Sequence, residues 1–116
     1  MIDEWIKEIK NSDRSDSIGM ILIHNGIVRA TSRNGKPVKG IRLSYNSEKL
    51  FRIIDDIKKK DGIVEVRVWI NEGKLNIGDD IMKVAVAGRF RTDVIPALEE
   101  LVGKIKREVV NEEEIY

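Results

Sequence analysis

The chain has 116 residues, 41% of them hydrophobic and 35% charged, with 21 Lys and Arg against 20 Asp and Glu and one histidine, for a net charge of +1. That length and balance suit one globular domain spanning residues 1–116 with a real core, and the near-cancelling charge excludes a general nucleic-acid binder. Without cysteine there is neither disulfide nor thiolate chemistry, and the lone His24 argues against a metal site built from imidazoles.

From Asp3 to Lys10, Trp5, Ile6 and Ile9 fall on one side of a short helix, which reads as a lid on the core. This mixed-charge start has no leader pattern, and no later run approaches about 18 uninterrupted apolar residues, so a cytoplasmic chain with no membrane contact is expected. Asn11 to Ser17 is a polar turn. Ile18 to Ile23, continued beyond Asn25-Gly26 by Ile27 and Val28, suits a buried strand with a bulge at the glycine. Thr31 to Pro37 contains the Asn34-Gly35 pair of a tight reversal, and Val38 to Tyr45 reads as a partner strand, predicting a hairpin with cations at its tip.

Asn46 or Ser47 can cap a helix in which Leu50, Phe51, Ile53, Ile54 and Ile57 recur at helical spacing, ending in Lys58 to Lys60 before Asp61-Gly62. Ile63 to Ile70 and Ile81 to Ala87 alternate as strands, and Asn71 to Asp80 between them is a loop or small β-arm. Asp93 is expected to cap a last helix bearing Val94, Ile95, Leu98, Leu101, Val102, Ile105 and Val109 on one face, with Pro96 in its first turn. Asn111 to Tyr116 reads as an acidic tail. The order α-β-β-α-β-β-α predicts an α+β fold, a mixed or antiparallel sheet with helices packed on it.

Charge distribution supplies the first functional clue. No acid occurs between Ser17 and Ser47, where even scattering would put about five, yet Arg29, Arg33, Lys36, Lys39 and Arg42 all lie there. Collected cations over a loop of small polar residues point to an anion site. Arg29 leaves a buried strand, which suits its guanidinium to bidentate phosphate or carboxylate binding; a solvated hairpin tip is the alternative. Gly88-Arg89-Phe90-Arg91 leads from a strand into a helix and could surround an anion, or merely form a turn with Phe90 in the core. Lys106 lies at the edge of the last apolar stripe, where an amine either reaches a cleft or snorkels to solvent. His24 reads as a core or strand-end residue and is given no role.

Asn25-Gly26-Ile27-Val28-Arg29, then Asn34-Gly35-Lys36-Pro37-Val38-Lys39-Gly40-Ile41, and a strand ending at Tyr45 resemble the large, catalytic subunit of molybdopterin synthase, the MoaE family. Gly73-Lys74-Leu75, Ile77-Gly78-Asp79 and Val84-Ala85-Val86-Ala87 match further family segments in the right order, so that the likeness runs from about Ile18 to Val109. The resemblance implies an α/β-hammerhead type of fold and a homodimer. It also implies a small ubiquitin-like partner subunit whose Gly-Gly tail carries a C-terminal thiocarboxylate. Its sulfur would pass to cyclic pyranopterin monophosphate, a substrate rather than a permanently bound cofactor, during molybdenum cofactor biosynthesis.

On that resemblance Arg29 and Arg91 are expected to hold phosphate or the tail, with Arg33 and Lys36 at the mouth of the pocket. Lys106 falls at a family lysine and is the expected catalytic residue. The sequence departs from the pattern at Phe90, where the family has histidine, and at Ile70-Asn71, where it has His-Arg. Glu112-Glu113-Glu114 stands where a second catalytic lysine belongs. A partner-binding scaffold of the same family that has lost turnover is therefore the alternative to an active sulfurtransferase.

Overall fold

Apolar alternation fixes the centre of the molecule. In the computed structural model, which describes residues 1–116, the elements in chain order are α1 (Ile2–Lys10), a 3-10 turn (Ser15–Ser17), β1 (Met20–Ile27), β2 (Gly40–Tyr45), α2 (Ser47–Lys58), β3 (Ile63–Ile70), β4 (Gly73–Asn76), β5 (Asp80–Gly88), α3 (Arg91–Lys104), a π turn (Ile105–Val109) and β6 (Val110–Ile115). They make an α+β fold with two three-stranded antiparallel sheets, ordered β1-β5-β3 and β4-β2-β6.

One face of the first sheet presents Val66, Met82, Val84 and Val86 to Ile53 and Ile57 of α2 and to Val94 and Leu101 of α3, all buried. Each large aliphatic side chain removed from water here contributes roughly 1.5–3 kcal/mol. The other face is covered by α1, whose Ile9 is fully buried over Ala85 and Ala87 with Trp5, Ile21 and Ile23 around it. Two small alanines in β5 leave room for that helix, so α1 is the lid its spacing predicts. Asn46 caps α2 by accepting a hydrogen bond from the Lys49 N–H at 3.0 Å. No helix is long and apolar enough to cross a membrane.

Three local expectations are overturned. The predicted hairpin does not form as a strand pair, because β1 bonds to β5 while β2 bonds to β4 and β6. Only its tip survives, with Thr31 bridged to Pro37 and Gly35 at φ 81° in the turn. Gly35 is suited to that left-handed conformation because it carries no Cβ. The acidic tail is instead β6, in register with β2 as Leu43 to Glu112, Arg42 to Glu113 and Ile41 to Glu114. Its pairing comes from the open edge of β2, since Asn and Glu have little strand preference of their own.

Asp93 does not cap α3. The capping position is Phe90 and no side chain bonds there; Asp93 is the third helical residue and binds the Arg89 guanidinium at 3.1 Å instead. Pro96 consequently lies beyond the first turn, at the sixth residue of the helix.

Candidate functional site

The strand β1 ends where its pairing with β5 slips, at Gly26 and Ile27, and the chain then turns away from the sheet. Val28 remains anchored, giving its N–H to the Asp79 carbonyl at 3.0 Å and accepting from the Gly78 N–H at 2.9 Å. Arg29 therefore projects from a fixed backbone. The next residues close on themselves: Val38 N–H donates to Ala30 O, Ser32 N–H to Lys36 O, and Lys36 N–H to Ser32 Oγ. This small stiff loop carries Arg33.

Arg29 and Arg33 form part of the wall of a cavity of about 700 Å³. Lys106 enters it from the π turn, in which Ile105 and Val109 are buried and hold the backbone while Lys106 stays exposed. Glu112 and Glu114 come from β6, and His24 and Gly26 form the wall on the β1 side. A second cavity of about 700 Å³ shares Arg33, Lys106 and Glu112 with the first and adds Gly103, Arg107 and Asn111. Lys106 thus lines both hollows.

The cations here are unspent. The ion pairs of the molecule lie elsewhere, and none includes Arg29, Arg33, Lys36, Lys106 or Arg107. A guanidinium without a carboxylate partner keeps its fork of donors available to an incoming anion. The two cavity glutamates, Glu112 and Glu114, oppose this charge without pairing with any of the cations. Glu114 accepts a 2.6 Å hydrogen bond from the Tyr116 hydroxyl, and Glu113, the middle acid, stands opposite Arg42 in the ladder rather than in the cavity wall.

Arg91 is not brought to this place. It lines a separate hollow of about 430 Å³ with Gly19, Met20, Arg89, Phe90 and Thr92, at the opposite end of β1, roughly 23 Å away for a strand of this length. The expected convergence of Arg29, Arg91 and Lys106 within one chain is therefore corrected to Arg29, Arg33 and Lys106. Lys36 lines none of these hollows, its backbone being used to close the Ser32 turn. Arg89 is already neutralised by Asp93 at 3.1 Å and Asp61 at 3.5 Å, and these carboxylates, Asp93 first, raise its pKa further. Phe90 is 59% exposed rather than in the core, with the Arg89 guanidinium 5.0 Å from its ring centre.

His24 is the residue that sequence reasoning passed over. It lies on the face of β1 shared with Met20 and Leu22, and its Nε2 is buried without a hydrogen-bond partner. Burial, and then the positive charge of Lys106, hold its pKa below the ordinary 6.5. A single histidine within an apolar strand gives no sign of such a neighbour, because Lys106 is remote in sequence.

The whole-chain comparisons agree with one another. The family model described as MoaE protein matches residues 2–108. An uncharacterized protein of Methanocaldococcus jannaschii is 31% identical over 110 residues, covering 91% of this chain and 88% of that one. The molybdopterin synthase catalytic subunit of Pyrococcus abyssi is 28% identical over 98 residues, covering 82% and 66% respectively. Among solved structures, molybdopterin synthase from Staphylococcus aureus superposes with a TM-score of 0.79 at 24% identity, over 97% of this chain and 83% of that one. A complex of subunits 1 and 2 of molybdopterin-converting factor from Helicobacter pylori gives 0.70 at 17% identity, over 99% and 82%.

Proposed function

The chain belongs to the MoaE family, and from that premise we propose that it acts in molybdenum cofactor biosynthesis as the large subunit of a molybdopterin synthase. In this reading a small ubiquitin-like subunit presents a thiocarboxylated Gly-Gly tail, and its sulfur passes to a pyranopterin phosphate. The observation that carries the proposal is the set of unpaired cations, Arg29, Arg33 and Lys106, around one cavity. The two guanidinium groups suit a phosphate or the carboxyl end of the tail. Lys106, which lines both hollows, would stabilise negative charge on the transferred sulfur.

A homodimer belongs to the same proposal, and it gives Arg91 a place. Arg91 can join the cavity only from a second copy. Because β1 is an edge strand, antiparallel pairing of two β1 edges about a twofold axis would set the Arg91 end of one protomer beside the Arg29 end of the other.

The cavity also supports the scaffold alternative through Glu112 and Glu114, which oppose anion binding where the family pattern has lysine. Reconstitution separates the two. Supplied with the thiocarboxylated partner and pyranopterin monophosphate, the wild-type chain is expected to form the dithiolene product, and Lys106→Ala to lower turnover by about a hundredfold or more while leaving partner binding intact. Partner binding by the wild type with no product would establish the scaffold instead.

A further inference from the structure

The half-buried imidazole that shares the cavity wall with Lys106 has no part in the reading above, and its surroundings define one. His24 sits mid-strand, opposite Val84 of β5, with its side chain in the cavity wall next to Gly26. Its Nε2 lies 3.5 Å from the position that a Cβ on Gly26 would occupy, so the ring is seated against backbone that has no side chain to shield it. No protein group bonds to Nε2. A buried polar atom left without a partner is destabilising unless something supplies one.

The charged groups that face this ring across the cavity are Lys106 from the π turn, Arg29 and Arg33 from the loop after β1, and Glu112 and Glu114 from β6. Beside it β5 offers only apolar neighbours, Met82 and Val84. With the cavity free of anions, positive charge and burial both disfavour an imidazolium. An anion seated on Arg29, Arg33 and Lys106 reverses the local potential, and the imidazolium then becomes the favoured form.

We propose that His24 is a conditional cation of this cavity: neutral when no anion is bound and drawn toward the protonated form, from solvent, when one is, so that capture of a phosphate-type ligand takes up a fraction of a proton, about half at most for a midpoint shift of one unit. The inference rests on the cavity being an anion site. It adds a fourth positive group where Glu112 and Glu114 weaken the other three, and it makes affinity rise as pH falls. The sign follows from linkage: a group whose pKa is higher in the complex than in the free protein strengthens binding on the acidic side of that pKa.

Because His24 is the only histidine, its ring C–H resonances report its titration without ambiguity. The probe is inorganic sulfate, whose charge is constant from about pH 5.5 to about pH 8, where histidine titrates. Saturating sulfate is expected to raise the imidazole midpoint by about one unit, and calorimetry to show binding about tenfold tighter at the acidic end. His24→Asn, checked for an unchanged fold by its amide spectrum, is expected to bind with no such pH dependence. Sulfate binding that leaves the His24 midpoint in place would overturn this inference and leave the anion cavity standing. A cavity that binds no sulfate at either pH would overturn both.

Discussion

The two ends of β1 carry clusters of positive charge that resemble each other in sequence and differ in what the charge is used for. At the Gly19 end, Arg89 is gripped by Asp93 and Asp61 and holds the turn into α3. At the Ile27 end, Arg29, Arg33 and Lys106 face a cavity and have no acid partner. A paired arginine at the surface contributes little to stability and is poorly placed to bind anything else. An unpaired cluster repels itself and is tolerated where a ligand relieves it. Counting basic residues does not separate the two ends; ion pairing separates Arg89 from Arg29, Arg33 and Lys106, while Arg91 at the Gly19 end is itself unpaired.

The sharpest way to break this contrast is to ask whether the ends cooperate between copies. Arg91→Ala and Lys106→Ala are each expected to be inactive, with turnover about a hundredfold or more below wild type. If Arg91 serves the partner's cavity, a mixed dimer of the two variants contains one intact site and recovers about half the activity of a wild-type dimer. No recovery on mixing would mean that Arg91 acts, if at all, within its own chain.

A smaller effect of opposite sign is expected from the acids. Glu112→Gln with Glu114→Gln removes two negative charges from the cavity, so sulfate should bind a few-fold tighter, and the gain should shrink as salt is raised. Unchanged or weaker binding would show that these side chains do not face the ligand.

The smallest effect lies in stability. With its pKa below 6.5 in the folded chain, His24 favours folding above that value, and this contribution is lost as pH falls from 6.5 through the lower folded value. Denaturant melts across this range should therefore show a stability loss on acidification that His24→Asn reduces. An identical pH profile for the two proteins would contradict the partial burial of the imidazole.

Much of the scaffold was readable because local pattern and final packing agree. The alternation of Val64, Val66 and Val68 marks β3, and the Asn46 cap with the spacing of Leu50, Ile53 and Ile57 marks α2. Where only tertiary context decides, local pattern does not suffice. Asn34-Gly35 signals a turn and a turn is there, but such a signal does not say whether the strands flanking it pair with each other. Val110–Ile115 is a strand only because β2 offers an edge, and its run of glutamates conceals this.

The site divides in the same way. The missing acids mark Arg29 and Arg33 in the sequence, and helical spacing puts Lys106 at the edge of its apolar stripe, but only the family likeness gives Lys106 a role. The separation of Arg91 and the presence of His24 depend on which end of β1 each residue meets, and spacing along the chain does not encode that. The position of Asp93 suits a helix cap, but the nearby Arg89 claims its carboxylate instead.

The most direct measurement is calorimetric titration of sulfate into the wild-type chain, Arg29→Ala with Arg33→Ala, and Arg89→Ala, at one pH and low salt. Removing the two unpaired guanidinium groups is expected to weaken binding by about a hundredfold, while removing the paired one leaves it unchanged. Equal losses from both variants, or a loss only with Arg89→Ala, would contradict the assignment of the anion site to the Ile27 end of β1.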